Sequence, residues 1–513
     1  MITTVDLLSR GYFPSELPPP FQTDIFASAI TASPLTIPAS FTDQSKTTKI
    51  CVHNLARPGT LRRPLGIPNP ISQYNLCKTI ETHWTTLDSH MRRSTLSRSI
   101  PVPGHWSNRA LTQSTSRRGL LSLKAGSRAR SRFVLRADIS RFYPSIYSHS
   151  IPWAIHTKEY AKTNRRAPIV GNLIDAWVRN GQDGQTVGIP IGPDTSFLIA
   201  ETILSAADHA LTQKAGALNG IRYIDDYELG FATRAKAEEA MAILQETLAE
   251  FELALNPQKT GIIELPLTLL HPWTSELSSY SFRTSTKAQG TDIIRFFDRS
   301  FILAKESPGD PVLRYALARL KSVHIDSLNW SILEKLLYQC ILLEPGTIIF
   351  TLEQLLHYHL LLGYPVDFSL LDHVLNQQIM LHGPLGHGSE VAWALWSLMS
   401  FNRPVSTDSV KVVSNMDDPV VALLALDALQ RGLAPSGLNP GNWHSHMDVA
   451  GLYDEHWLLS YEANFKGWLP SVGGEDHVRA DAGFNFLKQS RVYFYDAQRT
   501  LSAYPSRLSP YLG

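Results

Sequence analysis

At 513 residues the chain is long for one hydrophobic core, and two or three domains are expected. Hydrophobic residues at 43% and charged residues at 18% describe a soluble globular protein. No run of 18 or more uncharged apolar residues is present, which excludes a membrane-spanning helix. The first residues, Met1-Ile2-Thr3-Thr4-Val5-Asp6, do not read as a secretory signal. The three cysteines, Cys51, Cys77 and Cys340, are too scattered for a metal-ligand pattern and point to a reducing, cytoplasmic setting.

Residues 1–50 are rich in Pro, Ser and Thr and read as an extended N-terminal extension with little core of its own. The formal net charge of +1 hides an asymmetry that begins at their end. Between Lys46 and Arg141 stand 18 basic residues against three acidic ones, so the rest of the chain is acidic by 14. An arginine-dominated block of this kind suits phosphate groups, of nucleic acid or nucleotide; a solvated face or an acidic protein partner are the other readings. Within the block, Arg62-Arg63-Pro64-Leu65-Gly66-Ile67-Pro68-Asn69-Pro70 is a stiff extended stretch feeding a helix near Tyr74 to Trp84.

From 133 to 265 strands and helices alternate, the pattern of an α+β domain. Phe133-Val134-Leu135-Arg136-Ala137-Asp138 reads as a strand ending in a carboxylate. Helices are expected near Thr195 to Thr212 and near Ala235 to Phe251. Between them Ile221 to Phe231 reads as a hairpin with Asp225 and Asp226 at its turn, after Tyr223 and Ile224. Adjacent half-buried aspartates repel each other unless cations neutralise them. Two neighbouring strands, each delivering carboxylate at one end, can hold two hard divalent cations for phosphoryl chemistry. A solvated Asp-Asp turn and a strand-terminal capping Asp are the plainer alternatives.

After about 290 the strand signals fade. Amphipathic helical runs follow one another at Pro311 to Ser322, Ser331 to Leu343, Thr351 to Leu362, Glu390 to Ser400 and Pro419 to Leu429, like stacked helical pairs without a strict period. Scattered histidines there (His357, His359, His382, His387, His444, His446) have no evident third and fourth ligands for zinc.

Four motifs in order resemble those of reverse transcriptases. They are the Asp138 segment with its continuation Ile139-Ser140-Arg141-Phe142-Tyr143-Pro144-Ser145-Ile146; Gly188-Ile189-Pro190-Ile191-Gly192-Pro193-Asp194-Thr195-Ser196; Tyr223-Ile224-Asp225-Asp226; and Leu255-Asn256-Pro257-Gln258-Lys259-Thr260. The Arg62 to Pro70 stretch resembles the start of their fingers. The resemblance covers roughly residues 55–270 and implies a right-hand polymerase palm and fingers over 51–270, followed by an all-α, repeat-like thumb or C-terminal region over 271–513.

Carried over residue by residue, it implies that Asp138, Asp225 and Asp226 hold two Mg²⁺ ions, with Mn²⁺ as a possible substitute and the Ile139 carbonyl as a further ligand. Tyr143 would stack under the sugar and exclude a 2′-hydroxyl; a plain core aromatic is the alternative. Arg130 and Arg132, or a near neighbour, would clasp the triphosphate. Pro190 and Gly192 belong to the loop that positions template and incoming nucleotide. Lys259 would protonate the leaving pyrophosphate, unless it is a solvated loop cation.

Many reverse transcriptases carry Gln where Ile191 stands, and an aliphatic residue cannot make the amide's contacts, which puts ordinary templated copying in doubt. The wording around Asp138 and Pro190 is similar to the bacterial defence-associated enzymes of the abortive-infection group, which join the polymerase to a helical region. That likeness implies an RNA-directed or template-independent DNA polymerase in antiphage defence. Its substrates are dNTPs and its product DNA, made on an RNA template or an associated noncoding RNA, with a homo-oligomer or a partner defence protein and no membrane association. Some members of that group start on a protein tyrosine; Tyr453, Tyr461, Tyr493, Tyr495, Tyr504 and Tyr511 are available, with packing the better reading of each. No maturase, endonuclease or ribonuclease H segment is evident. A catalytically silent palm-like subunit that binds RNA or a partner, and an RNA-dependent RNA polymerase, are the rival readings.

Overall fold

A computed structural model describes residues 1–32, 37–59, 61–104, 107–435 and 437–499. Tyr504 and Tyr511 lie outside the described residues. A four-stranded antiparallel sheet stands at the centre of the site-bearing region. Its strands are β5 (Phe133–Asp138), β6 (Asn219–Tyr223), β7 (Asp226–Phe231) and β8 (Gly261–Glu264), in the spatial order β6-β7-β5-β8. Apolar side chains Val134, Leu135, Ile221 and Leu229 are buried in it, and the helices Asp194–Ala215 and Arg234–Glu250 pack beside it. The register pairs Asp138 directly with Asp226. The hairpin expected over 221–231 thus forms, with Ile224 and Asp225 as its turn.

A second antiparallel hairpin precedes the four-stranded sheet: β1 (Cys51–Ala56) with β2 (Arg62–Ile67). The short pair β3 (Pro101–Pro103) and β4 (Leu111–Gln113) follows it. The helix expected after the stiff stretch starts at Pro70, whose fixed φ and missing N–H suit the first turn, with Asn69 capping the Ile71 N–H. It runs to Thr82, and a second helix, Trp84–Met91, takes over.

The C-terminal region is helical, as expected, with helices at Val312–Leu320, Ser327–Leu343, Ile348–Leu356, Phe368–His382, Gly388–Ser400 and Pro419–Gln430, each layered on its neighbours. It is clamped onto the β1–β2 hairpin. Arg62 makes a two-pronged ion pair with the buried Glu390, His53 bonds Asp418 at 3.0 Å, and the Ala56 N–H donates to Ser389. No helix of the described residues is long and apolar enough to cross a membrane.

One expectation fails outright. Residues 1–50 are not an arm without a core: helices Thr4–Arg10 and Asp24–Ala32 bury Leu7, Leu8, Tyr12 and Phe26 completely. Phe494, near the far end of the described chain, packs its ring against Tyr12, Phe13 and Phe26. The prolines occupy the connections between these elements, so the composition masked the helices.

Candidate active site

Asp138 ends β5, and both its oxygens are engaged. Asn256 Nδ2 donates to Oδ1 at 3.1 Å and Lys259 Nζ donates to Oδ2 at 2.9 Å. The same loop returns along the strand end, with the Asn256 N–H on the Asp138 carbonyl at 2.7 Å. From the other side the Ile139 N–H donates to the Asp225 carbonyl at 3.3 Å, which sets the acidic turn beside the Asp138–Ile139 backbone. The three aspartates and Lys259 are therefore brought together, as the motifs predict. Burial, then the Asp226 carboxylate, raises Asp225 to about 6. Asp226 is raised as well, by burial and then by Asp138.

The turn is held in a costly conformation. Ile224 has φ +55°, a region that β-branched residues rarely enter. Both its backbone groups are tied down: the N–H donates to Ser99 Oγ at 2.8 Å and the carbonyl accepts from Arg222 Nη1 at 2.9 Å. Arg222 is wholly buried and bonds both oxygens of Glu201, at 2.7 and 3.0 Å, and Asp208 at 2.8 Å. Glu201 and Asp208 stand seven residues apart, on one face of the helix Asp194–Ala215. Ser97 and Ser99 complete the shell of Glu201, and Tyr227 and Ser94 that of Asp208. A single buried guanidinium thus fixes both strands of the hairpin and its turn. The signal that could have found it is the charged Arg222 inside an apolar strand.

Tyr143 is half-buried in the field of Asp225, and burial, then that carboxylate, pushes its hydroxyl well above the usual range. Its carbonyl accepts from the Ile189 N–H at 3.0 Å, so the Pro190 loop lies alongside. That loop is packed on both sides. The Gly66 N–H of β2 donates to the Ile191 carbonyl at 2.8 Å. A Cβ on Gly192 would lie 2.5 Å from Pro14, and its φ of +128° is open only to glycine. Asp194, the acid that follows, is spent on Arg109 and the Leu111 N–H.

Arg130 and Arg132 are not at this site, which corrects the sequence expectation. Arg132 lies at the other end of β5, six residues and about 20 Å of strand from Asp138. It pairs with Glu264 at 2.9 Å in solvent, and Arg130 is exposed in the turn before it. Two cations near the site come instead from the β1–β2 hairpin. Arg57 lies in the electrostatic field of Asp138 and Asp225, and Arg63 in that of Tyr143. With Arg314 they line a cavity of about 350 Å³ between the hairpin and the C-terminal helices, and neither Arg57 nor Arg63 has an ion-pair partner among the described residues.

Half of the basic block's cations are neutralised within the fold. Nine of its cations, Lys46, Lys49, Arg62, Arg92, Arg109, Lys124, Arg128, Arg132 and Arg136, pair with acids, of which only Asp88 belongs to the block. The acidic partner is in good part the rest of this chain.

The tyrosines are packed, as read: Tyr461 and Tyr495 are fully buried with their hydroxyls on Val492 and Asp427, and Tyr453 bonds Asp481. Two histidine clusters do assemble. His382 and His387 meet Nδ1 to Nδ1 at 3.0 Å beside Glu390, and His446 and His456 stack at 3.5 Å beside Asp417. The first is a hydrogen bond whose carboxylate is already committed to Arg62. In the second, near-parallel rings send their lone pairs in parallel directions, so no single ion lies along both.

The acidic turn itself fits divalent cations. It offers only hard oxygen donors, it carries three carboxylates against one ammonium, and the Lys259 ammonium already stands as a cation on Asp138.

A family model described as "Reverse transcriptase (RNA-dependent DNA polymerase)" matches residues 77–287. No curated protein matches the chain. Among solved structures, a telomerase from Candida albicans in complex with a TWJ fragment of telomeric RNA aligns over 69% of this chain and 68% of that one, at 13% identity and a TM-score of 0.29. That score is too low to carry an argument about overall fold.

Proposed function

We propose, from the premise that residues 77–287 form the reverse transcriptase domain of a nucleotidyltransferase, an RNA-directed DNA polymerase, that the acidic turn is its catalytic centre and that the enzyme acts in antiphage defence. The observation that carries the first claim is the convergence of Asp138, Asp225 and Asp226 with their charge only partly compensated. The second rests on the motif wording around Asp138 and Pro190 and on the helical C-terminal region.

Two Mg²⁺ ions held by the three carboxylates and the Ile139 carbonyl would supply the charge neutralisation and hydroxyl activation that phosphoryl transfer needs. The chain's own groups do the rest. Arg57 and Arg63 bind the triphosphate from the fingers side. Tyr143 fills the space where a 2′-hydroxyl would lie, which favours dNTPs. The Ser99 and Arg222 bonds hold Ile224, and through it Asp225, in the bonding geometry. Lys259 is bonded to Asp138, close enough to the centre for its ammonium to supply a proton to departing pyrophosphate. Ile191 offers no side-chain amide to a template pair, which supports a reading in which the template is a dedicated noncoding RNA or is dispensable.

The test is incorporation of labelled dNTPs by the full chain with Mg²⁺, with and without added RNA. Wild type incorporates and Asp225→Ala, equally folded, does not. Equal incorporation by both would falsify the assignment. Absence of incorporation by either, with RNA still bound, would favour a silent palm-like binding subunit.

A further inference from the structure

Past the Asp138–Tyr143 turn runs a groove of about 1140 Å³, larger than the 350 Å³ cavity lined by Arg57 and Arg63. Ligand pockets for single small molecules reach roughly 1,000 Å³, so this groove has room for a stretch of polymer. Its walls are the segment 145–168, the helix Val170–Asn180 and Val187.

The lining combines aromatic rings with cations. Tyr147 and Trp153 meet edge to face at 5.6 Å, and Lys158 Nζ lies 4.1 Å from the Trp153 ring centroid. Five cations, Lys158, Lys162, Arg165, Arg166 and Arg179, face two acids. Asp175 is shared by Arg179 and His149, and Glu252 stands 3.8 Å from Lys158. Lys162, Arg165 and Arg166 are exposed and have no ion-pair or hydrogen-bond partner among the described residues.

The groove is also continuous with the site. Tyr147 bridges Val187, the Ser148 N–H donates to the Thr186 carbonyl at 2.7 Å, and the Gly188 N–H donates to the Ile146 carbonyl at 2.8 Å. The pairing that sets the Pro190 loop beside Tyr143 therefore also builds the inner wall of the groove.

We propose that this groove is a binding track for single-stranded nucleic acid, with Lys162, Arg165 and Arg166 on the phosphates and Tyr147 and Trp153 as its aromatic wall. Unpaired cations along a concave surface, with aromatic rings beneath, suit a flexible sugar-phosphate chain and not a base-specific contact. The inference deepens the polymerase reading, since it names where a strand runs outside the acidic centre.

The test is binding of labelled single-stranded RNA and, separately, single-stranded DNA to the full chain without dNTP or divalent metal, across a salt series. Wild type is compared with Lys162→Ala/Arg165→Ala/Arg166→Ala. Loss of three phosphate contacts makes the slope of log affinity against log salt shallower by about 2 and weakens binding at least tenfold at low salt. The RNA and DNA arms identify which strand the track prefers. Photocrosslinking of the bound oligonucleotide, expected within residues 145–187, gives a readout that needs no variant. Unchanged affinity and slope in the triple variant, or crosslinks confined to other segments, would overturn the proposal. The binding assay holds neither dNTP nor divalent metal and does not read incorporation, so failure of the groove and failure of the catalytic assignment are told apart.

Discussion

Two acidic clusters are joined through Arg222 and the Ile224 turn and have opposite electrostatics. Glu201 and Asp208 are buried, but one guanidinium, four serine hydroxyls and a tyrosine satisfy them completely. Asp138, Asp225 and Asp226 share one ammonium among three carboxylates, and the cost appears as the raised Asp225 and Asp226. A fold spends its internal cations where charge must be silent and withholds them where an external cation is to bind. The first cluster ties down the hairpin turn; the second keeps carboxylate charge that a bound cation would offset.

Breaking the second cluster costs the most activity. Asp225→Ala removes a carboxylate from the incomplete set and is expected to lower dNTP incorporation by about a thousandfold or more, since several kcal/mol of transition-state stabilisation goes with it. Its melting temperature should match or exceed wild type.

Breaking the first cluster has the opposite signature. Arg222→Met leaves two buried carboxylates unpaired and frees Ile224, so about 3–5 kcal/mol of stability is lost in denaturant unfolding, with activity lost alongside. A variant as stable as wild type would show that the network does not hold the turn.

Removing the two cations of the β1–β2 hairpin tests binding alone. Arg57→Ala and Arg63→Ala should each raise KM for dNTP by about tenfold with the unfolding midpoint unchanged, whereas Arg132→Ala, an exposed ion pair about 20 Å away, should change neither by more than about 1 kcal/mol. An effect at Arg132 equal to that at Arg63 would restore the arginine that the sequence pointed to.

The comparison also has a pH signature. A carboxyl raised to about 6 in the folded protein binds its proton more tightly than in the unfolded chain. Metal-free stability therefore falls as pH rises from about 4 through 6, and the loss is complete above that window. Asp225→Asn lacks this loss, so the thermal midpoint of the variant minus that of wild type should grow between pH 4 and 7 without metal. A difference that stays flat with pH would mean that Asp225 is not under that strain.

The acidic turn was legible because its signals are local: a period-two apolar run, an Asp pair at the turn, and a strand ending in Asp138. The helices after 290 were legible for the same reason, since their apolar spacing is written in each segment. The arginines proposed for the triphosphate were not. Which of 18 cations stay free depends on partners far along the chain, as Arg62 and Glu390 or Lys46 and Asp481 show. The resemblance implies Arg130 and Arg132, but the strand carries them away from Asp138 at its other end. The N-terminal helices were hidden by the prolines around them, although the Thr3–Asp6 capping box was a usable signal. The groove was unreadable because its walls join residues from 44 to 252.

The most direct measurement is a calorimetric titration of Mn²⁺ into metal-free wild type, Asp138→Asn and Asp225→Asn at pH 7. Saturable binding by wild type, lost or weakened at least tenfold in both variants while their folds persist, is the predicted result. Binding of equal affinity and stoichiometry in all three proteins would contradict the assignment of the acidic turn as the metal centre.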